Sequence, residues 1–201
     1  ATVRYEHDQF GNVTKTIDAL GNETEQEYDQ FSRLLISKDA FGNETINTYD
    51  ELGRLTARTD ALGRVTSSEY DANGRLVKSI DALGNVTEYE YDGAGRRTAK
   101  IDADNKRTDF IYDSRGRLIR TIAPPDDENR RPTVEFTNDD AGRLVQKKDA
   151  KNVITRYEYD SQGRQTATIE AVGTPQERRK EQTYDVAGQL KTIKDPRGNI
   201  T

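Results

Sequence analysis

The chain repeats itself every 21 residues, and that period constrains the fold more than any other feature. Tyr-Asp recurs at Tyr28, Tyr49, Tyr70, Tyr91 and Tyr112, each 21 residues after the last. His7, followed by Asp8, stands 21 residues before Tyr28 and opens the series. Asn138, Tyr159 and Tyr184 continue it at steps of 26, 21 and 25. A second series runs at the half-repeat: Asp18, Asp39, Asp60, Asp81 and Asp102, then Asp149, Glu170 and Asp195. Self-similarity at this scale is the mark of a stacked repeat architecture, in which one unit cannot bury its own apolar groups and neighbours cover each other.

Each period spells Asp-x-x-Gly twice, as in "YDANGRLVKSIDALGNVTEYEYD" from residue 70 to 92. Asp at the first turn position accepts a hydrogen bond from the backbone N–H two residues on, which starts a type I turn. Gly at the fourth place supplies the left-handed conformation that closes a hairpin with a bulge. On this reading Asp29, Asp50, Asp71, Asp92, Asp113, Asp160 and Asp185 open turns. Gly53, Gly74, Gly95, Gly116, Gly163 and Gly188 close them, and Asn stands in at Asn105 and Asn152. Strand-length pieces remain between the turns: 54–59, 64–70 and 75–80 in one repeat and its neighbours. The expected fold is all-β, an antiparallel meander of hairpins forming a curved or spiral sheet.

Period-two spacing puts Thr87, Tyr89 and Tyr91 on one face, and likewise Thr155, Tyr157 and Tyr159. The partner strand usually opens with Leu, at Leu34, Leu55, Leu76, Leu118, Leu144 and Leu190. The Tyr face is therefore expected to be the one apolar enough to be buried, the other being rich in Arg, Lys and Glu. Composition agrees with a fold that needs no large interior. Hydrophobic residues make up 32%, charged residues 33%, and the mean hydropathy is -0.99. A net charge of -5 gives no footing to nucleic-acid binding, which wants a basic stripe. With no cysteine there is no disulfide framework, and no apolar run approaches a membrane span.

Two inserts break the period. Residues 123–132, APPDDENRRP, and 172–180, VGTPQERRK, fall where a half-repeat turn is due. Proline and charge make them extended loops. The basic clusters Arg130-Arg131 and Arg178-Arg179-Lys180 give them a docking or cleavage reading beside the plainer one of a lengthened surface hairpin. The termini read as cut inside a repeat, so residues 1–201 are expected to be about nine repeats of a longer array.

Catalytic and metal readings are weak. Each Asp recurs at a turn start, whereas a catalytic carboxylate pair needs two exceptional ones. His7 is the only histidine and occupies the Tyr place, so it makes neither a triad nor a metal site. No phosphate-binding glycine loop is present, because each Gly is isolated. No cofactor, metal or catalytic residue is assigned.

The pattern Tyr-Asp-x-x-Gly-Arg-Leu followed by Asp-Ala-x-Gly-Asn-x-Thr-x-Tyr-x-Tyr-Asp resembles the Rhs or YD-repeat family from end to end. The departures are Asn138 for Tyr, Gln189 for Arg, the weakened turn at Asp102–Asn105, and the two inserts. The resemblance implies a large β-sheet shell wound as a hollow cocoon around a C-terminal toxin or effector, in bacterial Rhs proteins, insecticidal Tc toxins or wall-associated relatives, and distantly the teneurins. It implies a secreted or cell-surface bacterial protein whose partners are the rest of its own shell and the enclosed cargo. The family's self-cleaving element resembles Asp-Pro-x-Gly; "DPRGNIT" from Asp195 has those letters but sits in register with the ordinary half-repeat turns. A second reading is an adhesion module for glycans or a cell-surface protein, with Tyr89 and Tyr157 as stacking residues.

Overall fold

The computed structural model describes residues 2–201, all-β, with 18 strands and no helix among them. The chain divides into two compact units, residues 1–90 with 101–105 and residues 91–100 with 106–201. The strands of the first are β1 (Arg4–His7), β2 (Val13–Ile17), β3 (Glu23–Tyr28), β4 (Leu34–Lys38), β5 (Glu44–Tyr49), β6 (Leu55–Thr59), β7 (Val65–Tyr70), β8 (Leu76–Ile80) and β9 (Val86–Tyr91). Each pairs antiparallel with the next in sequence, from β1 on β2 to β8 on β9. β10 (Arg97–Ile101) falls at the boundary. The second unit holds β11 (Arg107–Tyr112), β12 (Leu118–Ile122), β13 (Thr133–Asn138), β14 (Leu144–Lys148), β15 (Ile154–Tyr159), β16 (Gln165–Glu170), β17 (Arg178–Tyr184) and β18 (Leu190–Lys194). These also pair in sequence order, antiparallel throughout. The meander follows directly from placing a tight turn every ten or eleven residues.

The strands begin one residue later than the sequence reading had them. Arg54, Arg64 and Arg75 belong to the turns, and β6, β7 and β8 open at Leu55, Val65 and Leu76. A register shift sits beside the Tyr49-Asp50 turn, where Tyr49 pairs with Leu55 and Thr48 with Ala57, so Thr56 has no opposite number. The same shift recurs at Tyr28, Tyr70, Tyr112, Asn138, Tyr159 and Tyr184. The turn at each end of a strand thus fixes which face every side chain takes.

Burial also departs from expectation. Among the described residues only Ala99, Ala167 and Ile169 are buried, at 0%, 0% and 6% exposure. Ala167 pairs with Glu158 and Glu181, and Ile169 with Arg156 and Arg179, so both lie on the charged face and not among the tyrosines. The cause is side-chain length: a small residue between long charged neighbours is covered by their stems, while a tyrosine at the edge of a single layer keeps one flank in water. A compact monomer of this mass would expose roughly 9,500 Å², against the 13779 Å² exposed here.

The charged face is laced across strands. Lys15 lies 2.6 Å from Glu23 and 3.8 Å from Glu25, Glu135 takes Arg120 at 3.4 Å, and Arg179 sits between Glu158 at 2.7 Å and Glu181 at 2.8 Å. Exposed pairs of this kind contribute about 0–1 kcal/mol each. Their main effect is on register, because a slip by one residue would flip the strand's faces and set Lys15 against Thr24 or Gln26 in place of Glu25.

Both inserts are more ordered than their composition suggests. Residues 123–132 contain a further copy of the turn: Asp126 N–H bonds Arg130 O at 2.8 Å, and Asn129 adopts φ 58 and bonds Asp126 O at 2.8 Å. Asn in the glycine place had hidden it. In the second insert the loop ends at Glu177, and Arg178, Arg179 and Lys180 are strand residues of β17. Glu170 does not open a turn; Ala171 takes the left-handed conformation instead, at φ 51. Its extra methylene leaves a Glu carboxylate poorly placed for the short bridge that Asp makes.

Candidate functional site

The structure joins the residues that recur at the Tyr-Asp turns into a ladder. Asp50 Oδ1 accepts the N–H of Leu52 at 3.0 Å and of Arg54 at 2.9 Å, while Gly53 N–H bonds Asp50 O at 3.0 Å with φ 82. This is a type I turn closed by a glycine bulge, with the Asp side chain filling the loop from inside. Asp29, Asp71, Asp92, Asp113, Asp160 and Asp185 do the same with Arg33, Arg75, Arg96, Arg117, Arg164 and Gln189, through the backbone N–H four residues on. Gly74, Gly95, Gly116, Gly163 and Gly188 occupy the left-handed place, and Ser32 takes it in the turn from Asp29, at φ 60.

The arginine after the glycine is the residue that the sequence reading passed over. Arg54 Nε donates to Asp50 Oδ2 at 2.7 Å inside its own turn. Its Nη1 donates to the carbonyl of Asp71, 3.0 Å away in the next repeat, and its guanidinium lies over the ring of Tyr70 at 4.9 Å. Arg33 makes the same three contacts with Asp29, Asp50 and Tyr49. In the second unit Arg96 reaches Asp113 and Tyr112, Arg143 reaches Asp160 and Tyr159, and Arg164 reaches Asp185 and Tyr184. Where Asn138 replaces tyrosine, Arg117 keeps its bond to the Asp139 carbonyl at 2.6 Å. A guanidinium suits this place because its planar fork can bond two groups while its face stacks on a ring. The signal was present in the sequence, since Arg follows Gly at turn after turn, but it read as the polar start of a strand.

The tyrosines close the ladder from the other side. Tyr49 donates its hydroxyl to Leu34 O at 3.0 Å, Tyr70 to Leu55 O at 3.0 Å, Tyr112 to Arg97 O at 2.9 Å, Tyr159 to Leu144 O at 2.8 Å and Tyr184 to Gln165 O at 2.8 Å. Each acceptor is the first strand residue after the preceding Tyr-Asp turn, beside the bulge. Tyr28, which lacks that partner, donates to Gln26 Oε1. Burial raises the Tyr159 phenol above its ordinary pKa, so the donor stays protonated well into alkaline solution.

The half-repeat turns are built from shorter pieces. Asn22, Asn43, Asn85 and Asn199 hold the place of the arginine and donate only to their own Asp18, Asp39, Asp81 and Asp195, at 2.7, 2.8, 2.8 and 2.7 Å. These asparagine turns are therefore tied only locally, whereas at the same end of the strands Arg131 reaches back to Arg107 O at 3.1 Å and Asp109 Oδ2 at 2.7 Å. The carboxylates of Asp50 and Asp81 are held below their usual range. For Asp50 the Arg54 backbone N–H is the largest cause and its guanidinium adds to it; for Asp81 the Asn85 side chain leads, followed by its backbone N–H. All of these oxygens point into turns, and no cluster of side chains able to hold a metal ion occurs among the described residues. Tyr89 and Tyr157 lie half-buried in β9 and β15, Tyr157 opposite Thr168. His7 ends β1, exposed, with its ring 6.5 Å from that of Tyr5.

A sheet of twin-turn units, stapled within each compact unit by arginines that reach the next Tyr-Asp turn, defines a β-repeat protein of the Tyr-Asp class. The chain belongs to the RHS repeat family, whose model matches residues 49–84, 70–107, 91–126 and 139–175, more than half of its length. No curated protein sequence matched. Among solved structures the chain is similar to the Tc holotoxin pore of Photorhabdus luminescens, at 16% identity and a TM-score of 0.68, over 96% of this chain and 14% of that one. It is also similar to the crystal structure of TcdB2-TccC3, at 16% identity and a TM-score of 0.58, over 96% of this chain and 12% of that one. At that identity the likeness is one of fold. The chain spans about an eighth of the length of those chains. No helix in the structure is long and apolar enough to cross a membrane.

Proposed function

We propose that this chain is a stretch of wall in an Rhs-type shell, a structural element of a secreted bacterial protein that encloses a C-terminal toxin or effector. The observation that carries this is a single-layer sheet, polar on both faces, whose repeats are tied edge to edge by the Arg–Tyr–Asp ladder. Such a sheet can face water on one side and a hydrated, partly unfolded cargo on the other, with no dry core. Family membership and the fold shared with Tc toxin structures support the reading. On this proposal residues 1–201 form one continuous repeat array within a longer chain, and the array is not an enzyme: its aspartates are engaged as turn anchors.

The ring faces of Tyr49, Tyr70, Tyr112, Tyr159 and Tyr184 are occupied by guanidinium groups. That leaves Tyr89 and Tyr157, half-buried in β9 and β15, as the tyrosines on which the adhesion reading rests. The deciding experiment is an electron-microscopy reconstruction of the full-length parent protein. A closed shell with density inside, this segment forming part of its wall, is the expected result. An open ribbon with an empty concave face would overturn encapsulation. Glycan-array binding lost on Tyr89→Ala or Tyr157→Ala would then install adhesion in its place.

A further inference from the structure

The turn tips of the first unit carry large apolar side chains in water, and they stand in rows. At the half-repeat end the third place of each Asp-Ala-x-Gly turn is Leu20, Phe41, Leu62 or Leu83, exposed between 77% and 92%. At the opposite ends of the strands the third place of the first three Tyr-Asp-type turns is Phe10, Phe31 or Leu52, exposed between 61% and 74%. Beyond residue 90 the same place holds Asp104, Glu128, Lys151 and Arg197 at half-repeat turns, and Ala94, Arg115, Ala141, Gln162 and Ala187 at Tyr-Asp turns.

The turn itself does not ask for an apolar residue there. Asp104 and Lys151 make the same backbone bond to their turn aspartates, at 3.0 and 2.8 Å, that Leu62 makes at 2.9 Å. Single exposed leucines are ordinary, but four successive copies of one place, all large and apolar, are not scattered. Repeats are two strands apart, so each row has a pitch of about 10 Å. The gaps between knobs are therefore regular, and a matching surface must present apolar groups at that same pitch. The other edge of the same ribbon does so.

We propose that these two edges are the complementary halves of an interface between copies of this repeat run, the Leu20–Phe41–Leu62–Leu83 row of one copy seating against the Phe10–Phe31–Leu52 row of a second. Seven such side chains, each bringing roughly 150 Å², offer an area on the order of 1,000 Å², where specific contacts begin. The two patches differ, so the contact is head-to-tail, and each pairing leaves one row free at either end. The inference does not depend on the shell reading, since it concerns which surfaces of this chain adhere.

Sedimentation velocity of the full chain from low to high micromolar concentration tests it. Wild type is expected to grow past the dimer as concentration rises. Two variants each keep one row: Leu20→Asn/Phe41→Asn/Leu62→Asn/Leu83→Asn, and Phe10→Asn/Phe31→Asn/Leu52→Asn. Asn occupies this place naturally at Asn73, so the turns tolerate it, and unchanged far-ultraviolet circular dichroism checks the fold. Should either asparagine set unfold, lysine, native to this place at Lys151, replaces it in the same design. Each variant alone is expected to sediment as a monomer, and an equimolar mixture to stop at the heterodimer. A monomeric wild type overturns the proposal. So does association that survives in either variant alone, or a mixture that stays monomeric.

Discussion

The guanidinium of Arg54 lies 4.9 Å from the ring centre of Tyr70, sixteen positions on in the chain, while the same group is bonded to Asp50 and to the carbonyl of Asp71. Three different contacts from one side chain connect two repeats. Lysine can make one of them at a time. Arg54→Lys is expected to lower unfolding free energy by about 1 kcal/mol, and a double-mutant cycle with Tyr70→Leu should return a coupling of roughly 0.5–1 kcal/mol. Urea titration measures both. A coupling near zero would mean the stacking is geometric only.

The Tyr159 hydroxyl gives the complementary test. It donates to Leu144 O at 2.8 Å in a partly buried place. Tyr159→Phe keeps the ring under Arg143 but leaves that carbonyl without its donor. The expected loss is about 1 kcal/mol, with the cation–ring contact intact. Unchanged stability would show that water replaces the hydroxyl at no cost.

Most of this fold could be read from the residues because backbone chemistry demands them. Asp50 and Gly53 sit where a type I turn with a bulge needs an acceptor and a positive φ, and few other residues serve. The staple was not legible, because Arg54 looks like any polar strand residue until the next repeat is placed beside it. The turn at Asp126 was missed for a different reason: Asn129 does the work of glycine, and flanking proline and charge imply a loop. Burial misled as well. Apolar content placed the core among the tyrosines, whereas in one layer the small residues Ala99 and Ala167 are the covered ones. What sequence pattern cannot carry is a contact whose partners lie a whole repeat apart.

Ser32 holds a left-handed position, φ 60, where the equivalent turns use Gly53, Gly74 or Gly95. For a residue with a Cβ this conformation costs roughly 1 kcal/mol. Ser32→Gly is expected to raise stability by about 0.5–1 kcal/mol, although it forfeits the exposed bond that Asn12 donates to Ser32 Oγ. Gly53→Ala should move stability the opposite way by a similar amount. Thermal melts of the two variants decide the point, and a shift of the same sign in both would refute the conformational account.

The basic clusters of the two inserts are predicted to differ toward proteases. Arg130 stands 68% exposed on a turn, whereas Arg178, Arg179 and Lys180 lie in β17, paired with Glu170, Ile169 and Thr168 of β16, with Arg179 also held by two glutamates. Cleavage needs an extended, unpaired segment, and a strand in mid-ladder opens only with its neighbours. Limited trypsin digestion followed by mass spectrometry should therefore find the cut after Arg130 well before any cut at 178–180. The reverse order would mean that β17 opens locally.

The repeated aspartates tie the whole sheet to pH. Asp18, Asp39, Asp50, Asp60, Asp71, Asp81, Asp92, Asp113, Asp139, Asp160 and Asp195 all titrate below the usual carboxylate range in the folded chain. For a depressed pKa, the stabilisation is complete above the unfolded value of about 3.9 and disappears as pH falls through the folded value, because the unfolded chain then binds more protons. These carboxylates should leave stability level from neutral pH down to about pH 5, with a steep fall below about pH 4, where these turns lose their anchors together. Replacing three anchors at once, Asp50→Asn/Asp71→Asn/Asp92→Asn, is expected to lower stability at neutral pH. The same change should make the acid limb shallower, since fewer protons are then taken up on unfolding. Chemical denaturation at a series of pH values measures both effects, and an acid limb of unchanged slope would place the linkage elsewhere than in the turns.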